Sequence, residues 1–228
     1  MSRRDEAATV AVAIVAKAPR PGAVKTRLCP PLRPREAAAL ARCFLRDKIA
    51  QVGGLTGVTP VVAFTPAGER PLFERLAVGF TLVPQRGADL GSRLRSLLAT
   101  LLRRRHRAVL AIDSDTPTLP PTLLQRAVDL AASGDVDLVL GPAEDGGYYL
   151  IGVRADHPAL FHEIPWSTPS VLETTLTRAR EAGLRIACLP AWFDVDTPED
   201  LARLRTALRD TPHAAPLTSR LLTRPRAW

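Results

Sequence analysis

The chain has 228 residues, 46% hydrophobic and 24% charged, ample for one α/β domain with a full core and short for two. No apolar run reaches the roughly 20 residues of a membrane-spanning helix, and the opening MSRRDEAATV has no long apolar segment, which argues against a signal peptide and for a cytoplasmic protein. The net charge of +8 points either to an anionic partner or only to arginine-rich, solvated helix faces, and with no nucleic-acid motif and no aromatics interleaved with the basic residues, a nucleotide fits better than RNA or DNA.

Ala8 to Ala16 is an apolar, β-branched run without strict alternation, the pattern of a strand buried on both faces. It empties into a loop with Pro19, Pro21 and Gly22 and four cations, Lys17, Arg20, Lys25 and Arg27. Many α/β proteins hold a polyphosphate with such a loop. Pro34 starts a helix in which Ala37, Leu40, Ala41, Phe44, Leu45 and Ile49 fall at helical spacing up to about Gln51, before Gly53-Gly54 ends it. A strand at 58–65, a short helix at 69–77 and a strand at 80–83 lead to the glycine-punctuated PQRGADLG. Leu90, Leu94, Leu97, Leu98, Leu101 and Leu102 then form one apolar helical stripe, and Arg103 to Arg107 complement its C-terminal dipole.

Residues 108–112 read as another buried strand, running into Asp113-Ser114-Asp115-Thr116-Pro117, and Pro120-Pro121 opens the next helix. A strand at 136–140 precedes GPAEDGG, which feeds a strand at 148–153. Thr168-Pro169 caps a helix to about Ala182, and a late strand follows at 184–189. Asp194 to Asp200 leads into the last helix, with Thr197 as N-cap, Pro198 at the first helical position and Asp200 at the capping-box position. Strands alternating with helices predict a single three-layer α/β/α domain over 1–210 with a mostly parallel central sheet. The basic, Pro-containing residues 211–228 are expected to form an irregular tail. Cys29, Cys43 and Cys188 are scattered and lack metal-site spacing, so reduced thiols are expected. Neither GxGxxG nor GxxxxGK[ST] occurs.

Ligands of open α/β sheets bind beyond the carboxyl ends of the strands. Three motifs have that address: the cationic loop 17–27, Asp113 to Pro117, and Asp194 to Asp200. A polyphosphate calls for Mg2+ (or Mn2+), which takes one or two carboxylates besides phosphate oxygens and water. Asp115 and Asp196 supply such a pair from separate strands. The competing reading makes Asp115 an Asx turn and Asp196 a turn-former before Thr197.

The blocks AKAPRPGAVKTRL, QRGADLGSRL, SDTP, GPAEDGGYYLIG, PWSTPSVL and DVDTPEDL, in that order from Val10 to Leu201, resemble the bacterial radical-SAM/selenodomain-associated transferases, often labelled glycosyltransferases. That family belongs to the nucleotide-diphospho-sugar transferase (GT-A) superfamily, so the resemblance implies a GT-A fold. The first block is also similar to 2-phospholactate guanylyltransferase, through Lys17 and Lys25-Thr26-Arg27-Leu28. DVDTPEDL is similar to blocks of molybdenum-cofactor guanylyltransferases and CMP-sugar synthetases, whose aspartate before Thr-Pro is a metal ligand; this maps to Asp196, and the earlier block maps to Asp115. Relatives usually have Gly where this chain has Asp113. The resulting Asp113-Ser114-Asp115 is a literal DxD, which in glycosyltransferases of the superfamily holds the metal-diphosphate, so Asp113 joins the candidate metal ligands.

Two chemistries and a third role follow. In nucleotidyl transfer, Lys17, Lys25 and Arg27 clamp a triphosphate, with Gly22 and Thr26 in the same loop, and a phosphomonoester acceptor needs no general base. In glycosyl transfer from a nucleotide sugar, Glu144 or Asp145 is the candidate base, although both also read as turn residues beside Gly146-Gly147. The third role is a module that holds a nucleotide without turnover. Four cations favour the first. Gln85, Gly87 and Asp89 stand where related enzymes read the base, with Asp89 alternatively a helix cap. Gly147 and Tyr148 are assigned to the acceptor side, and Ser167 and Thr168 to a helix start that takes an acceptor phosphate or is an ordinary cap. Expected partners are a nucleotide and a small-molecule acceptor, with no membrane.

Overall fold

The computed structural model describes residues 9–223. Residues 1–8, on which the signal-peptide reading rests, and residues 224–228 of the expected tail lie outside the described residues. The first strand, β1 (Val10–Lys17), lies mid-sheet. Val10, Val12, Ile14 and Ala16 face one helical layer, and Ala11, Ala13 and Val15 face the other. Both pleats are covered, which is why the run is apolar without alternation.

β1 pairs in parallel with β2 (Val58–Thr65) and with β4 (Ala108–Ile112), and β3 (Thr81–Pro84) extends the sheet beyond β2. Beyond β4 lies β6 (Tyr148–Val153), antiparallel to both β4 and β5 (Leu138–Pro142), and β7 (Ile186–Cys188) pairs in parallel with β5. The order is β3-β2-β1-β4-β6-β5-β7. One reversed strand among seven leaves the carboxyl ends of all the others on one edge. The loops after β1, β3, β4, β5 and β7 therefore gather there, where α/β sheets bind ligands.

Helices α1 (Pro34–Gly53), α2 (Arg70–Leu76) and α4 (Pro121–Ser133) cover one face, and α3 (Leu90–Arg103) and α5 (Val171–Glu181) the other. A third cluster joins Leu28, Leu40, Phe44, Phe193 and Val195 to α6 (Pro198–Asp210) through Leu201, Leu204 and Leu208. This satellite core anchors the cationic loop against the segment before α6, so burial of Leu28 and Val195 sets the position of the polar residues beside them.

Three expectations change. The strand expected at 136–140 is Leu138–Pro142, because Asp137 is occupied in binding Arg185 through backbone and side chain before the ladder begins. The helix expected from Thr168 begins at Val171, because Thr168 Oγ1 donates to Pro165 O and the intervening residues form a turn. The irregular tail is instead folded through Thr223, with a helix α7 (Pro216–Thr223). Its first-turn N–H groups find a carboxylate on α1: Leu217 N and Thr218 N donate to Asp47 at 3.0 and 2.9 Å, and Thr218 Oγ1 donates at 2.7 Å. Asp47 is buried, and one acceptor satisfying several orphan donors is the logic of a helix cap. Asp47→Ala is expected to cost about 1–3 kcal/mol in urea unfolding and to expose residues 211–223 to limited proteolysis ahead of the rest of the chain.

Candidate active site

The loop after β1 is held at its root by Ala18 N donating to Thr65 O at 2.8 Å, and it turns back at Lys25. Lys25 has φ 49° and ψ 39°, the left-handed region that side chains rarely occupy. Buried Leu28, in the 3-10 turn Thr26–Leu28, ties the far end to the satellite core. Between these anchors the Lys25 side chain points inward and is only 5% exposed. Its Nζ lies 2.9 Å from Asp115 Oδ1 and 2.8 Å from Asp196 Oδ1, and it sits over the Phe44 ring. Burial works against the ammonium, but the two carboxylates outweigh it and hold the pKa above the ordinary lysine value. Arg27 is more exposed, its guanidinium 3.7 Å from Asp196 Oδ2.

The two carboxylates are free to face Lys25 because other aspartates build their turns. After β4, Asp113 Oδ1 accepts from Asp115 N at 3.1 Å, Thr116 N at 3.3 Å and Thr116 Oγ1 at 2.7 Å. Before α6, Asp200 Oδ2 accepts from Asp196 N, Thr197 N and Thr197 Oγ1, and Thr197 Oγ1 accepts from Asp200 N. The capping box has the composition the sequence predicts. The turn-forming reading therefore belongs to Asp113 and Asp200, not to Asp115 and Asp196. Val195 N donates to Asp115 O at 3.0 Å, which ties the two acidic segments directly together. Among the described residues no ion pair joins Asp113 to Lys25, so the literal DxD does not present two equivalent ligands.

Asp115 and Asp196 are 40% and 36% exposed at their side chains. An oxygen-only pair that already shares one cationic group suits a hard divalent ion that keeps water and phosphate oxygens in its shell. Among the described residues no group of three or more His, Cys, Asp or Glu is placed to hold a metal. A cavity of about 300 Å³ opens beside Asp196 and is lined by Arg27, Asp145, Asp194 and Arg203. Burial, with Asp145 and Asp196 nearby, pushes the Asp194 carboxyl up to about 7.

The other predicted residues are placed as follows. Lys17 ends β1, exposed, on the pleat shared with Val15. Gly22 makes the loop's positive-φ turn at 75°, and Thr26 opens the 3-10 turn, exposed. Gln85 Nε2 donates to Ala16 O and Ala63 O, tying strand ends together. Gly87, at φ 143°, packs against Ser92 and Arg93 so closely that a Cβ would clash. Asp89 caps α3, accepting from Ser92 N at 2.7 Å. Glu144 is paired with both guanidinium nitrogens of Arg203, which stacks on Phe193. Asp145 Oδ1 accepts from Gly147 N at 2.9 Å. The Tyr148 hydroxyl is buried, and its ring meets Trp166 edge-on. Ser167 and Thr168 lie in the turn before α5, not at its N-terminus, so the helix-start site expected there is not formed by these two residues. A cavity of about 690 Å³ lies between α3 and α5 along Asp89, Arg95, Trp166 and Arg178, and none of the Lys25 cluster lines it.

A family described as "Uncharacterized protein conserved in bacteria (DUF2064)" matches residues 48–168. The chain belongs to the DUF2064 family. Among solved structures, this DUF2064 protein is similar to one from Desulfovibrio desulfuricans G20, provisionally named a nucleotide-diphospho-sugar transferase, at 32% identity over 93% of each chain with a TM-score of 0.87. It shares its fold with a CMP:2-keto-3-deoxy-manno-octonic acid synthetase solved with CTP, at TM-score 0.57 and 15% identity over 89% of this chain and 99% of that one. It does so too with glucosyl-3-phosphoglycerate synthase from Mycobacterium tuberculosis, solved with Mn2+ and uridine diphosphate, at TM-score 0.53 and 15% identity over 89% and 80%. No curated protein matches the sequence. The fold of this DUF2064 protein is thus that of the nucleotide-diphospho-sugar transferases, as the sequence predicts, and no helix among the described residues is long and apolar enough to cross a membrane.

Sequence reasoning missed Lys48 and Arg203, and it gave Asp194 no role beyond its place in the motif. Lys48 leaves a signal, standing where the stripe of Leu40, Phe44, Leu45 and Val52 calls for an apolar residue. Lys25→Met is expected to leave Asp115 and Asp196 facing one another unscreened, at a cost of about 1–2 kcal/mol given their partial exposure. Millimolar Mg2+ should restore much of that loss in urea melts of the variant and change the native protein's midpoint less.

Proposed function

We propose that this protein is a nucleotidyltransferase that moves an NMP from an NTP to a small phosphorylated or hydroxylated acceptor, with Mg2+ or Mn2+ and release of pyrophosphate. The supporting observation is the Lys25 ammonium held between two carboxylates, on separate loops, that have no turn to build. Asp115 and Asp196 would hold the metal, which when bound neutralises phosphate charge. Lys25, Arg27 and Lys17 bind phosphate oxygens and stabilise the leaving group. An acceptor oxygen attacks the α-phosphorus, the bond from that phosphorus to the bridging oxygen breaks, and pyrophosphate leaves with that oxygen and its electron pair. A phosphomonoester acceptor is already largely ionised near neutral pH and brings its own nucleophile. The loop at Gln85, Gly87 and Asp89 is assigned to the base, and Gly147 with the Tyr148 ring to the acceptor side.

Glycosyl transfer from a nucleotide sugar is the second reading, favoured by the name of the D. desulfuricans relative. Against it, Asp113 Oδ1 is committed to its turn, Glu144 is held by Arg203, and Asp145 caps Gly147. The carboxylates offered as its base are therefore both engaged.

Pyrophosphate release measured over a panel of NTPs and phosphorylated acceptors tests the proposal. Lys25→Ala, Asp115→Asn and Asp196→Asn should each lower turnover by about 10²–10³-fold, the scale of losing a group that stabilises transition-state charge. Transfer from a nucleotide sugar, with no pyrophosphate from any NTP, would establish the second reading. Tight Mg2+-NTP binding with no turnover of either donor would make the protein a binding module.

A further inference from the structure

Lys48 is fully buried, with its ammonium beneath the loop that carries Asp115. Its Nζ donates to Thr116 O at 2.8 Å and to Thr116 Oγ1 at 3.2 Å. Thr116, also fully buried, passes the contact on, because its Oγ1 donates to Asp113 Oδ1 at 2.7 Å. Asp113 Oδ1 in turn accepts from Asp115 N. One helical turn further, Gln51 Nε2 donates to Pro117 O at 3.0 Å and to Ala214 O at 3.3 Å. Two consecutive residues of the loop thus hang on side chains of α1, and the position of Asp115 relative to Lys25 depends on them.

A lysine here is costly for the fold. Desolvation disfavours the ammonium, and Asp113, Asp115 and Asp47 only partly oppose it. A methionine would fill the same stem without that penalty, but it would leave the buried Thr116 carbonyl without its donor, and removing one partner of a buried polar contact is itself costly. The lysine is therefore accounted for by the loop residue it holds, not by its own burial. What an apolar residue cannot do is grip a carbonyl and a hydroxyl of one loop residue together.

We propose that Lys48 is a positioning residue: from α1 it fixes the 113–117 turn so that the Asp115 carboxylate is presented at the strand edge. This rests on the role proposed above for Asp115. It assigns a function to a side chain that touches neither a phosphate nor a metal.

The test compares wild type, Lys48→Met, Thr116→Val and Asp115→Asn. Two measurements are made: hydrogen exchange of the peptide containing residues 113–119, and calorimetric affinity for ATP, CTP, GTP and UTP in the presence of Mn2+. Lys48→Met should keep the wild-type circular dichroism, speed exchange in this peptide but not in β1, and weaken nucleotide affinity about tenfold or more, the scale of losing a hydrogen bond from a charged group. Thr116→Val removes the hydroxyl while leaving α1 intact, and it should move both readouts in the same direction by less; it serves alone if Lys48→Met does not fold. Unchanged exchange would overturn the proposal, as would faster exchange with wild-type affinity, which is what a purely structural lysine gives. Asp115→Asn separates the two levels. If it binds nucleotide as wild type does, or if wild type binds none of the four nucleotides, the reading of the site fails and this inference with it. If it loses binding while Lys48→Met retains it, the role of Lys48 alone fails.

Discussion

The site depends on one constraint: a nearly buried ammonium touching two carboxylates from loops far apart in sequence. Lys25 lies 90 and 171 residues from its two partners in the numbering. Each loop must therefore be held independently before the three charges can meet. Each acidic loop carries a second aspartate for that purpose, Asp113 in one and Asp200 in the other. An aspartate that caps its own turn has its oxygens committed to backbone N–H groups. A loop that must both turn tightly and offer a free carboxylate needs two acids, and both loops here have them.

Apolar packing brings the loops to one place. Leu28 follows Lys25 by three positions and Val195 precedes Asp196 by one, and both are buried in the cluster built on α1 and α6. Phe44 belongs to that cluster and also lies under the Lys25 ammonium. Hydrophobic burial is non-directional and cannot itself orient a charge. Alternating polar and buried neighbours along a short segment turn that burial into orientation. The reversed β6 contributes as well, since it leaves the end of β5 and its own start on the edge where β1 and β4 end.

Much of this was legible in the sequence. The doubly buried β1, the capping box at Thr197 and Asp200, and the strand end at Asp113 follow from periodicity and cap chemistry, which are local. Contacts made across the fold were not legible. Asp113 and Asp115 are the same residue type two positions apart, and only the location of Thr116 Oγ1 and Lys25 Nζ separates turn-former from partner. The tail looked irregular because α7 takes its cap from Asp47, some 170 positions away. Ser167 and Thr168 looked like a helix start because their hydroxyls suit one, yet Thr168 spends its hydroxyl on Pro165 O. Lys48 leaves only a weak signal, because a helical lysine is ordinarily solvated, although its place in the apolar stripe points inward.

The exposures in the cluster also bear on exchange. Lys25 is 5% exposed, yet Asp115 and Asp196 are 40% and 36% exposed. Water at the carboxylates lowers the Coulomb energy of each pair far below its value in a dry interior. The left-handed backbone at Lys25 stores about 1 kcal/mol, which the two contacts must also offset. An ammonium held in this way is ordered but not locked. Full burial of the acids would make the pairs too strong for another cation to compete, and full exposure would leave the lysine disordered. Intermediate exposure keeps two oxygens pre-organised around a position that one positive group already occupies. The buried Lys48 contributes from behind, because a fixed loop keeps Asp115 from following the ammonium if it moves.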